Sequence, residues 1–112
     1  MIFHVIGTEE WARLRAGGHI DPAPAPFLHL CTESQLSGVV ERYFGDADSV
    51  VALAVEEEGL GEALRWEAGV DPVSGRQVAG GEAFPHLYGP LAIELAAVFV
   101  VLPGGVLGER VS

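Results

Sequence analysis

The chain has 112 residues, 49% of them hydrophobic, and its 16 acidic against 6 basic side chains give a formal charge of −10. One domain is expected at this length, burying roughly 65% of the surface the unfolded chain exposes, so a core can form without staples. All six cations are arginines and there is no lysine, which excludes Walker-type phosphate loops, pyridoxal Schiff bases and lysine general bases, since each needs an ammonium.

Each half of the chain carries eight acidic and three basic residues. No basic arm or stripe is left to neutralise a phosphate backbone, so nucleic acid is not an expected partner. Cys31 is the only cysteine; neither an internal disulfide nor a cysteine zinc cage can form, and a reducing compartment is the default. The amino terminus has no positive region ahead of an apolar stretch, and the longest apolar run, 91–102, contains Glu94. Neither a signal peptide nor a membrane span is expected, and the expected location is cytoplasmic.

In chain order, IFHVI at 2–6 predicts a strand, and Thr8 offers a hydroxyl cap to a helix carrying Trp11 and Leu14 that stops at Gly17 and Gly18. Pro22, Pro24 and Pro26 then block helix and favour an extended connector. FLHLC at 27–31 alternates, with Phe27, His29 and Cys31 on one strand face and Leu28 and Leu30 on the other. Thr32 and Gln35 form a T-x-x-Q capping box for a helix with Leu36, Val39, Val40 and Tyr43 on one stripe and Gly45 as its stop.

SVVALAV at 49–55 predicts a buried strand, and LRWEA at 64–68 another. The glycine-rich stretch 69–82 predicts a mobile loop. FPHLYGP at 84–90 holds His86 and Tyr88 between Pro85, Gly89 and Pro90; in an extended segment the two side chains share a face as an exposed pair. The cluster Val98 to Val101 makes 91–102 a strand buried on both faces, and the last nine residues should fray.

The residues able to carry chemistry are His4, His29, His86, Tyr88 and Glu67, with Thr32 and Trp66 in support. They form no self-sufficient local motif: there is no G-x-G-x-x-G, no G-x-S-x-G and no H-E-x-x-H. Each also has an ordinary reading. His4 or His29 fits a hydrogen-bonded histidine at the core edge, Glu67 a solvated strand residue, Trp66 a packing residue and Cys31 a small buried hydrophobe. Three strand-borne histidines could instead converge on a metal.

FLHLCTESQL, RWE and FPHLYGPL together resemble a small bacterial family, domain of unknown function 952, over nearly the whole chain. The family pattern matches here at His4, Trp11, His29 with Thr32 and Gln35, Trp66 with Glu67, and His86 with Tyr88; Cys31 stands where serine is usual. That family is in turn similar to the ADP-ribosyltransferase superfamily and, in motif order, to RNA 2′-phosphotransferases.

The resemblance implies an α+β fold with a curved, mostly antiparallel sheet of five to six strands and two main helices, ADP-ribosyltransferase-like. It also implies an NAD pocket. In it His4, His29, Thr32 and Tyr88 would hold the nucleotide, and His29, His86 and Glu67 would form the catalytic set, the carboxylate stabilising positive charge on the ribose. The expected partner is a nucleotide-like small molecule, with no metal. The different-class alternative is a catalytically silent binding or interaction domain that keeps the pocket as scaffold.

Overall fold

The computed structural model describes residues 1–23, 25–45, 49–69 and 82–111. Its strands are β1 (Ile2–Gly7), β2 (His19–Ile20), β3 (Leu28–His29), β4 (Cys31–Thr32), β5 (Val50–Val55), β6 (Leu64–Ala68), β7 (Ala83–Leu87), β8 (Leu91–Ala92), β9 (Ala97–Leu102) and β10 (Val106–Arg110). Helix α1 (Thr8–Leu14) follows β1, and α2 (Glu33–Tyr43) follows β4. The fold is α+β with antiparallel pairing throughout, but the strands form three sheets where one was expected. Their orders are β10-β9-β5-β1-β4, β3-β7-β6 and β2-β8.

Strand β5 explains how the core is divided. All six of its residues are buried. Val51, Leu53 and Val55 join one apolar cluster with Ile2, Ile6, Leu28, Leu87 and Leu91. Val50, Ala52 and Ala54 join the other with Phe3, Val5, Leu36 and Val40. Period-two alternation sends neighbours to opposite faces, so the five-stranded sheet is covered on one side by α2 and on the other by the two smaller sheets. Strand β5 was readable from its apolar run because burial on two faces removes the polar half of the pattern.

The segment FLHLC does more than form one strand. Leu28 and His29 pair with β7, the Leu30 amide donates to the Pro85 carbonyl at 3.0 Å, and Cys31 then pairs with Phe3 of β1. The chain thus passes from the three-stranded sheet to the five-stranded one within five residues. This transfer places His29 where the two sheets meet.

Several local expectations are corrected. Thr8 is the first residue of α1 rather than its cap: the cap is Gly7, with no side-chain bond, and the Thr8 hydroxyl instead accepts from Ser49 at 2.8 Å. The run 91–102 is broken by a tight turn at Ile93–Leu95, which brings Glu94 to the surface and hands the chain from β8 to β9. Within the stretch expected to fray, Val106–Arg110 instead form edge strand β10, joined to β9 through a turn in which Gly104 and Gly105 have φ of 85° and 80°. Pro103 followed by glycine is a turn signature that the sequence carried. Of the predicted 69–82 loop, residues 70–81 lie outside the described residues.

Candidate functional site

The three-stranded sheet has one apolar face and one that carries ionisable and aromatic side chains. Leu64 lies opposite Leu87, which in turn pairs with Leu28, and this side belongs to the core. The alternate residues Arg65 and Glu67 on β6, Phe84 and His86 on β7, and His29 on β3 share the other side, followed by Phe27 and Tyr88 just beyond the strand ends. Glu67 is level with Phe84 and Arg65 with His86. Glu67 and His86 are therefore diagonal neighbours, a separation a carboxylate and an imidazole can bridge.

They do bridge it: Glu67 Oε1 accepts from His86 Nδ1 at 2.9 Å and from the Tyr88 hydroxyl at 2.7 Å. The Tyr88 and then the His86 hydrogen bond hold the Glu67 carboxyl below its usual pKa. An ionised carboxylate only accepts, so the proton of this contact belongs to Nδ1. The same contact, assisted by burial, raises the Tyr88 pKa above 10, so the phenol acts as a hydrogen-bond donor and not as a base.

Phe27 organises the rings. It stacks on His86 with centroids 4.0 Å apart, meets His29 edge-on at 4.9 Å and contacts Tyr88 at 5.2 Å. His29 and His86 are 5.7 Å apart, and the Arg65 guanidinium lies 4.9 Å over the Tyr88 ring. Phe27 shares the predicted face of His29, and that alternation was the signal that could have nominated it. The expected exposed pair is corrected: His86 is 1% exposed, its ring covered by Phe27.

His4 joins this group only indirectly, through its Nδ1 contact with the His29 carbonyl at 3.0 Å. Burial lowers its pKa, partly offset by that backbone bond. A neutral imidazole is consistent with Nδ1–H donating to the carbonyl. Thr32 is occupied elsewhere: its hydroxyl accepts from the Gln35 amide at 3.3 Å while Gln35 Oε1 accepts from the Thr32 amide at 2.9 Å, the complete capping box of α2. Trp66, expected to pack, is 46% exposed on the opposite side of β6 from Glu67. Burial pushes the Cys31 thiol up to about 12, so it is no nucleophile.

A cavity of about 530 Å³ lies between α2 and the strands. His4, His29 and His86 border it, whereas Tyr88, Glu67 and Thr32 do not. Phe3, Val5 and Phe84 supply apolar wall, and Ser34, Gln35 and Arg42 supply polar groups from α2. Arg42 was missed because nothing in a helical arginine foretells a cavity. Among the described residues no group of three His, Cys, Asp or Glu side chains could hold a metal ion, and no helix is long and apolar enough to cross a membrane.

The chain has relatives. The family described as "Protein of unknown function (DUF952)" matches residues 5–101. The crystal structure of Protein CC0527 from Caulobacter crescentus is similar, with 32% identity, a TM-score of 0.71 and coverage of 96% of this chain and 92% of that one. The solution structure of the same Caulobacter protein gives 33% identity, a TM-score of 0.68 and coverage of 94% and 89%. No curated protein matches the chain. With the family match running from within β1 to within β9 and covering every strand that carries the ring cluster, the chain belongs to the DUF952 family.

Proposed function

We propose that the cavity binds an NAD-type nucleotide and that the chain acts in the manner of an ADP-ribosyltransferase on a small molecule or protein side chain. The observation that carries this reading is the Glu67 carboxylate tied to both His86 and Tyr88, with His86 bordering the cavity. The cavity volume falls within the roughly 300–1,000 Å³ usual for small-molecule sites, and its apolar wall with a few polar groups suits a base and a ribose. His29 and His86 would hydrogen-bond ribose oxygens.

NAD would supply a ribosyl carbon on which positive charge develops as nicotinamide leaves. A fixed carboxylate nearby favours that charge. Glu67 does not itself border the cavity, so it acts here as a positioning residue: it holds His86 in one tautomer and places negative charge behind it. The antiparallel five- and three-stranded sheets meeting at Leu30 support an ADP-ribosyltransferase-like architecture. Nucleic acid as the acceptor is disfavoured by a net charge of −10.

One observation favours binding without turnover. The His86 ring is buried and stacked under Phe27 at 4.0 Å, which restricts its approach to a substrate. The test is a titration with NAD and ADP-ribose followed by thermal shift and NMR, with nicotinamide release followed by chromatography. A binder at 100 times Kd gains about 2.7 kcal/mol. Release that is lost in Glu67→Gln supports the transferase reading; stabilisation without release leaves the silent binder; no stabilisation by any nucleotide overturns both.

A further inference from the structure

Helix α2 presents different sides to the core and to the cavity. Leu36 and Val40 are buried in the core, whereas Ser34, Gly38 and Arg42 border the cavity. Residues four apart lie in one row on a helix, so Arg42 stands about 12 Å along the axis from Ser34. Glycine inside a helix is destabilising relative to alanine. Gly38 nonetheless has no positive φ, and a Cβ built there meets nothing within 4 Å. Neither backbone conformation nor packing among the described residues calls for glycine; the missing methyl leaves the helix backbone open where it borders the cavity.

Arg42 is the cation among the described residues bordering the cavity. No carboxylate among the described residues pairs with it, its recorded neighbour being the Tyr43 ring at 5.9 Å. The cavity's other charged group, Glu82, is tied by Gln35 Nε2 at 2.6 Å, about 10 Å back along α2 from Arg42. The cavity thus carries a carboxylate beside Gln35 and a guanidinium further along α2 at Arg42.

We infer that the cavity takes a ligand with its phosphate seated on Arg42 and its planar body lying against α2 at Gly38. This rests on reading the cavity as a nucleotide site, and it gives the phosphate a place there. A guanidinium forms paired, charge-assisted bonds to phosphate, and glycine permits close approach of a ligand to backbone.

The test compares compounds differing only in phosphate: nicotinamide mononucleotide against nicotinamide riboside, and AMP against adenosine. Calorimetry is run on the wild type, Arg42→Gln and Gly38→Ala. The nucleotides are expected to bind at least about tenfold more tightly than the nucleosides, with the advantage lost in Arg42→Gln. Gly38→Ala is expected to raise the unliganded Tm yet weaken nucleotide binding several-fold, a combination that a merely structural glycine would not give.

Nucleotide affinity unchanged in Arg42→Gln or in Gly38→Ala overturns the inference while the proposed function stands. If no nucleotide binds, the proposed function fails, and phenyl phosphate against phenol decides the inference by NMR. Binding of the phosphate that depends on Arg42 sustains it, and no binding overturns it as well. Arg42 is exposed, so its substitution leaves the fold intact.

Discussion

The Glu67 carboxylate reaches diagonally from β6 to β7 and accepts the Nδ1 hydrogen of His86 at 2.9 Å. The carboxylate is partly open to solvent, 37% exposed, while the imidazole side chain is 2% exposed. A surface charge therefore fixes the tautomer of a buried ring. The same oxygen also receives the Tyr88 hydroxyl, which makes Tyr88 a spectroscopic reporter of the arrangement.

Tyr43 and Tyr88 are the only tyrosines, so in a Tyr43→Phe background the ultraviolet titration follows Tyr88 alone. In the native protein Tyr88 should ionise above the ordinary value of 10, because its hydroxyl donates a hydrogen bond to Glu67 and the carboxylate opposes a second negative charge. Glu67→Gln should bring that step back toward 10. An unchanged titration would refute the contact.

Stability should be greatest between about pH 6.5 and 10. The depressed pKa of His4 favours folding fully above its ordinary value of 6.5, and that contribution is lost as pH falls toward the folded value. Glu67 behaves likewise below 4.5. Tyr88, whose pKa is raised, contributes below 10 and loses that contribution as pH rises through its folded value. Thermal melts across this range check the signs. His4→Gln should flatten the decline just below pH 6.5.

Thr32→Ala should cost about 1 kcal/mol by opening the capping box, read from denaturant midpoints. Gln35→Ala should cost more. Gln35 also donates to Glu82 and to the Ala83 carbonyl at 2.6 and 2.8 Å, tying α2 to the start of β7.

Gly105 has φ of 80°, and a Cβ there would lie 2.4 Å from the Ser37 Cα. Gly105→Ala should therefore destabilise by at least about 1–2 kcal/mol from the backbone alone, with the clash against α2 added. Gly104→Ala shares the positive φ, but its added Cβ meets nothing within 4 Å, so it should cost less. Equal losses in chemical denaturation would show that the turn does not press on α2.

Cys31 is 1% exposed, with its thiol pushed up to about 12. Native protein at pH 8 should leave it unmodified by a thiol reagent over hours, and denaturant should release rapid stoichiometric reaction. Fast native labelling would show that β4 opens.

Local chemistry made the capping box legible, because both partners lie within four residues of each other. Apolar runs did the same for β1 and β5, and alternation put Phe27 with His29 and His86 with Tyr88. The split of 91–102 was not legible: hydrophobicity records that residues are buried, not which of two sheets buries them. The edge strand β10 was hidden for a similar reason, since its burial pattern is mostly exposed and its position is set by pairing with β9.

The candidate site divides along the same line. The residue types and the faces they share came from the order of amino acids, because strand geometry alone dictates alternation. That Glu67 meets His86, that Phe27 covers the ring, and that Arg42 borders the same cavity as His29 depended on register and on packing between segments far apart in the chain. Those contacts are chosen by the joint burial of many side chains, and no short stretch of sequence contains that information.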